Sequence, residues 1–290
     1  INNVCRAVQE YKDNSGTTIR EVMVKATRCG HLLIRLTVQK PTLEWGKAFQ
    51  DYMIDRFPNM QCLCYNVAES AARPCKHSPL VFLTDSEYVI ETTPNGLSYQ
   101  IGPDTFSEVN HQVELQQFQQ KQTWLQQQQQ QELSSNNGPP SILLCTGRDI
   151  SSLALGFGST RDTANDNSLF HHVIAMQHCP LVHRDALMNF ARHDHLSIAV
   201  FHRDKTNMVK TLSGELAKYD DRPIVGIMTG GRKGLDPAYL EYLVGNQNIR
   251  CIIYNSCSTK SLLRDMNGFV HGGFCIDDFW SYDLFPNTSY

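Results

Sequence analysis

Over residues 17–40 apolar and polar positions alternate with period two. Val22, Val24 and Ala26 run out, Cys29-Gly30 turns, and Leu32, Ile34, Leu36 and Val38 run back, which predicts a β-hairpin. Over 42–56 the period becomes helical. Thr42 can cap that helix, and Trp45, Phe49, Tyr52 and Met53 form one apolar stripe. Met60–Val67 reads as a strand, and 80–101 as a second hairpin turning at Pro94-Asn95-Gly96. Strands in a run, with a helix on one side, predict a small α+β domain over 1–100.

Residues 101–140 read as a connector. A helix over 111–133 is opened by Asn110, with Leu115, Phe118 and Leu125 at helical spacing. Its other face is nearly all glutamine and ends in Gln126–Gln131, a tract read as a solvated helix end rather than a dedicated interaction motif. Ser134–Pro140 is a polar loop. From 141 to 290 short apolar runs recur at Ile142–Leu144, Val173–Met176, Ile198–Phe201, Ile224–Met228 and Cys251–Tyr254, with helical stretches such as 180–192 and 236–246 between them. That alternation predicts βα units on a mostly parallel sheet, with functional residues at the carboxyl ends of the strands.

The 290 residues are 41% hydrophobic and 19% charged, enough for sizeable cores and unlike a disordered, collagenous or coiled-coil chain. No apolar run is long enough to span a bilayer. The chain opens Ile1-Asn2-Asn3 without a methionine, as a piece of a longer polypeptide does. Net charge is −3, with eleven basic against ten acidic residues over 1–95 and fifteen against nineteen beyond, so no global basic field favours polyanions. Local basic patches remain open. Several of the ten cysteines, Cys145 and Cys251 among them, sit in strand-like runs, which favours reduced intracellular thiols over a disulfide framework. The Asn287-Thr288-Ser289 sequon is close to what chance gives in a chain of this length.

The strand ends carry the candidate chemistry. Leu143-Leu144-Cys145-Thr146-Gly147-Arg148-Asp149 follows the first run, where a nucleotide-type cofactor needs glycines for close backbone approach, and only Gly147 supplies one. The second run ends in Gln177, where a ribose-binding site wants an acid. Thr229-Gly230-Gly231-Arg232-Lys233-Gly234 is glycine-rich and basic, but lacks the spacing of a phosphate loop. Cys257, just past the fifth run, reads either as a nucleophile or as a structural thiol. His171-His172, His178, His183, His193-Asp194-His195 and Cys62-x-Cys64 with Cys75 lack zinc-site spacings, so no metal is expected.

In their order these pieces resemble the tRNA (uracil-5-)-methyltransferase family, S-adenosylmethionine-dependent enzymes that methylate a uridine, from about residue 17 to the end. Residues 101–110 resemble the family's S-P-x-x-F-x-Q-x-N stretch, Leu143–Asp149 its D-x-C-C-G-T-G loop, and Val173–Gln177 its V-x-G-V-E. Thr229–Leu235 is similar to D-P-P-R-x-G-L, Tyr254–Thr259 to Y-V-S-C-N-P, and Asp283–Thr288 to D-L-F-P-Q-T. The resemblance implies an α/β fold, with a Rossmann-like methyltransferase domain over 141–290 and a smaller N-terminal α+β domain over 1–100. In the family mechanism a cysteine attacks C6 of uracil, C5 takes the methyl group and a glutamate removes the C5 proton.

The departures from the family pattern are concerted. Glu108 stands for a cofactor-contacting glutamine, Leu143 for the loop aspartate, Asp149 for its last glycine, Gln177 for the ribose acid, and Thr229-Gly230-Gly231 for Asp-Pro-Pro. Arg232 and Cys257 match, while Ser258-Thr259 replace Asn-Pro, and Tyr290 falls just short of the glutamate position. Each lost hydrogen-bonded contact costs roughly 1–3 kcal/mol, so several together carry a micromolar cofactor affinity to millimolar or beyond. The expectation is a catalytically inactive relative that binds RNA, a protein partner or both, without cofactor, membrane or metal, in the nucleus or cytoplasm. The alternatives are an active uridine methyltransferase using Cys257 and S-adenosylmethionine, and a protein-interaction scaffold with no RNA role.

Overall fold

The structure is a computed structural model, and it describes residues 1–11, 15–68, 79–135, 141–147, 150–158, 170–177, 179–194, 196–202, 207–219 and 222–286. Two compact units divide the chain: Ile1–Thr92 with Ser98–Ser107, and Thr93–Leu97 with Glu108–Tyr290.

The first unit is built on a four-stranded sheet in the order β1-β2-β3-β4, comprising Thr18–Ala26, Leu32–Gln39, Met60–Val67 and Val81–Phe82. β1 and β2 form the expected antiparallel hairpin, with Val24 opposite Ile34. Helix α2, Leu43–Arg56, then crosses over so that β3 pairs parallel to β2. Alternate β2 residues Leu32, Ile34, Leu36 and Val38 face Trp45, Phe49 and Met53 of α2, and this is the core of the unit. The helix α1, Asn2–Glu10, was not foreseen from the apolar pattern. Its Val4, Ala7 and Val8 are nevertheless spaced for one helical face, and all three are buried.

The expected hairpin over 80–101 is shorter than its sequence pattern. Only β5, Val89–Thr92, and β6, Ser98–Ile101, pair with each other. Val81–Phe82 joins β3 instead, because Cys64 and Tyr65 offer it a free edge. Thr42 caps α2 as anticipated, its hydroxyl accepting from the Trp45 N–H at 3.1 Å. Thr42→Ala is expected to cost about 1 kcal/mol, read as a lower urea midpoint with an unchanged slope.

Beyond its short Thr93–Leu97 segment, the second unit runs from Glu108 into the long helix α3, His111–Ser135, whose first turn is capped by Asn110 accepting from the Val113 N–H at 3.2 Å. Phe118 and Leu125 are buried, but Leu115 is 38% exposed and lies outside the apolar stripe. Five parallel strands follow: β7 Ser141–Thr146, β8 Phe170–Gln177, β9 Ile198–His202, β10 Ile224–Gly230 and β11 Ile249–Ser256. Between them run α4 Ile150–Gly156, α5 Pro180–Ala191, α6 Met208–Leu216 with a 3-10 turn at 217–219, and α7 Pro237–Gly245; α8, Thr259–His271, follows β11.

The spatial order β11-β10-β7-β8-β9 makes this a Rossmann-like sheet. Every apolar run named from the sequence is one of its strands. Central strands flanked by helices are buried on both faces, so they read as continuous hydrophobic runs rather than alternating ones. Order reverses between β7 and β10, which places the crevice of the fold at their carboxyl ends.

Candidate functional site at the strand ends

Gly147 follows β7 with φ 141°, a conformation that side chains disfavour. Gln177 ends β8 and is only 3% exposed. Its carboxamide is committed on both sides. Nε2 donates to the Gly147 carbonyl oxygen, and Oε1 accepts from the Cys179 N–H at 2.9 Å. The amide therefore stitches the β7 loop to the β8 loop. A carboxylate could accept from Cys179 but could not donate to Gly147.

Leu143 lies inside β7, fully buried, paired to Val225 on one side and Val173 on the other. It is a core residue, not a loop residue. Arg148 and Asp149 lie outside the described residues. Glu108 is half-buried ahead of α3 and off the sheet. At the crevice, the Tyr239 hydroxyl lies 3.4 Å from Thr146 Oγ1 and 3.8 Å from Met228 Sδ. Burial pushes that phenol's pKa up and keeps it neutral.

Parallel pairing sets Thr229 beside Asn255 and Gly230 beside Ser256. Cys257 and Gly231 are the first residues past that last pair. Cys257 is exposed, as are Gly231, Arg232 and Lys233. Thr229 carries no carboxylate, so the ionisable groups beside Cys257 on this loop are the two cations.

The loop after β10 is held from behind by a group that sequence reasoning overlooked. Asp265 of α8 is fully buried. Its Oδ2 accepts from the Leu235 N–H at 2.8 Å and from the Tyr254 hydroxyl at 2.5 Å, and its Oδ1 from Arg264 Nε at 2.8 Å. Arg264 Nη2 also reaches the Leu235 carbonyl at 2.9 Å. Tyr254 titrates well above an ordinary tyrosine, first through burial and then through its hydrogen bond to Asp265. Gly230 and Gly234 have no room for a Cβ, which would strike the Tyr254 hydroxyl and the Asp265 carboxylate respectively. A proline ring in place of Gly230 would meet the same hydroxyl. The overlooked signal is legible in retrospect: Ser261, Asp265 and Phe269 fall at i, i+4 and i+8 on the buried face of α8.

Other candidate clusters find ordinary structural partners. His172 lies 2.7 Å from Ser197 Oγ and stacks on Tyr219. Cys62 and Cys64 are buried in β3, where the hydrogen bond with Cys62, then burial, push the Cys64 thiol up. His178, His195 and Cys75 lie outside the described residues, as does the 287–289 sequon. Among the described residues no group of three His, Cys, Asp or Glu side chains could hold a metal, and no helix is long and apolar enough to cross a membrane.

No family model matches the chain. A protein of Enterococcus faecalis named as an uncharacterized RNA methyltransferase is 23% identical over 280 residues, 96% of this chain and 55% of that protein. One of Caldanaerobacter subterraneus with the same description is 32% identical over 77 residues, 27% of this chain and 17% of that protein. Another, from Gloeobacter violaceus, is 35% identical over 69 residues, 24% of this chain and 15% of that protein. The chain thus spans little more than half of the relative it follows for most of its length. Among solved structures, a SAM-dependent methyltransferase from Streptococcus mutans superimposes with a TM-score of 0.42 at 10% identity, over 92% of this chain and 69% of that one. A methyltransferase complexed with SAH gives 0.41 at 10% identity, with the same coverage. Those two scores are too low to add to what the sheet order already establishes. The sequence relatives agree in kind: the chain is similar to proteins named as RNA methyltransferases, and its second unit is Rossmann-like.

Proposed function

We propose that this chain is an RNA-binding module of the uracil-5 methyltransferase type that does not transfer methyl groups. The observation carrying the reading is Gln177. A ribose diol is ordinarily held by a free acceptor at the end of the second strand. Here that position is a buried amide with both ends already hydrogen-bonded to the protein's own backbone. Leu143 in the core and Thr229 in place of an acid support the same reading. The residues present do not suit S-adenosylmethionine.

Titration calorimetry tests this directly. S-adenosylmethionine and S-adenosylhomocysteine are expected to release no heat of binding at millimolar ligand. Micromolar binding of either, or methyl transfer to uridine in any RNA, would sink the proposal.

A second reading is favoured by Cys257, which is exposed at the strand end with Arg232 and Lys233 on the adjacent loop. Under it the chain is a working uridine methyltransferase, and Cys257 forms a covalent bond to C6 of uracil. A covalent RNA adduct that survives denaturation, and is lost in Cys257→Ala, separates this reading from the first. A scaffold with no RNA role is distinguished from both by the absence of salt-sensitive RNA binding.

A further inference from the structure

The basic loop noted in the sequence is neither a phosphate loop nor, lacking an acid, a proton-transfer loop, yet the fold invests a buried network in its shape. The Asp265 carboxylate holds Leu235 and Tyr254, and Arg264 holds the Leu235 carbonyl. Gly230 and Gly234 leave no slack against Tyr254 and Asp265. Arg232 and Lys233 lie within that turn, which the Gly231–Gly234 bridge closes, and both are exposed. Lys260, also exposed, lies one turn before Arg264 on α8, so it flanks the same turn. None of the three is in an ion pair among the described residues. Two acids lie close by in the chain. Asp265 is buried against Arg264, and Asp236 caps α7 through the Ala238 N–H at 3.1 Å. This is a concentrated positive ledge on a chain whose net charge is −3.

We propose that Arg232, Lys233 and Lys260 form a pre-shaped ledge that holds the phosphodiester backbone of single-stranded RNA alongside Cys257. The inference rests on the RNA-binding reading above and names its surface. Three cations on a rigid support neutralise phosphates without first losing loop entropy, so their contribution appears as counterion release. The relatives' RNA class favours RNA over an acidic protein as the occupant.

The test is fluorescence anisotropy with a labelled oligouridylate, titrated from 50 to 300 mM salt. The protein is the whole chain, its R232Q/K233Q/K260Q variant, and K218Q as a remote control. All four substituted side chains are solvent-facing, and far-ultraviolet circular dichroism checks each fold. The triple variant is expected to lower the slope of log K against log salt by about 2, and to weaken binding at least about tenfold at low salt, with K218Q unchanged. If the parent chain binds RNA and the triple variant keeps its slope, the ledge is wrong and the RNA-binding reading stands. If the parent chain binds no RNA at 50 mM salt, both fall. If a poly-aspartate peptide competes as strongly as RNA, the occupant is an acidic protein segment and the proposal is overturned.

Discussion

Asp265→Ala lowers the unfolding free energy of the second unit by an expected 3–5 kcal/mol, because it removes the common partner of several donors behind the β10 loop. The Leu235 N–H and the Tyr254 hydroxyl lose their acceptor while staying largely out of water. Each buried donor left unmet costs about 1–3 kcal/mol, and the two together give this range. Arg264, 53% exposed, turns to water and adds little. Urea unfolding followed by tyrosine fluorescence measures the loss, and a change below about 1 kcal/mol would mean that the network does not hold the loop. A second signature is spectrophotometric. Tyr254 is held above the ordinary tyrosine range by burial and by Asp265, so removing the carboxylate lets the phenol ionise at lower pH.

Gln177→Glu is the other large effect, expected at about 2–4 kcal/mol near neutral pH. The substitution supplies the acid that the methyltransferase pattern has at this position. In this protein it sets a buried carboxylate against the Gly147 carbonyl, which offers no proton. Repulsion and desolvation raise the folded-state pKa of the introduced carboxyl above its unfolded value of about 4.3. A raised folded pKa gives stability that is full below the unfolded value and is lost as pH rises through the folded one. The variant should therefore approach the parent protein below about pH 4, where the protonated acid can again donate to Gly147, and show its full deficit at neutral pH. Denaturation at a series of pH values reads this out. A deficit constant with pH would show that Gln177 does not serve as a donor. The variant is also expected not to gain S-adenosylmethionine binding, since Leu143 and Thr229 stay as they are.

The strands were legible because their signal is burial itself. Ile142–Leu144 and Val173–Met176 are uniformly apolar, since helices cover both faces of the sheet. In the first unit the alternation of Leu32, Ile34, Leu36 and Val38 announced one core face. Pairing partners were harder. Val81–Phe82 is too short to name its partner, and it took the β3 edge rather than the hairpin. The positions of Cys257, Arg232 and Gln177 at strand ends follow from the strand pattern. What Gln177 touches does not follow, because its partners are backbone atoms that any sequence supplies. Asp265 was hidden for the opposite reason. A charged residue in a helix reads by default as a solvated one, and only its place between Ser261 and Phe269 betrays its burial.

The strand order also dictates when this sheet can close as the chain is made. β7 is the central strand, but one of its two neighbours, β10, lies about eighty residues downstream, with Thr146 opposite Met228. At ordinary synthesis rates of ~5–20 residues per second, β7 waits roughly 4–16 s for that partner after leaving the ribosome. During that interval β7, β8 and β9 can assemble, leaving Ile142 and Leu144 on a strand with one open hydrogen-bonding side. Nascent chains stalled between β9 and β10 should thus engage holdase chaperones more strongly than chains stalled beyond β11.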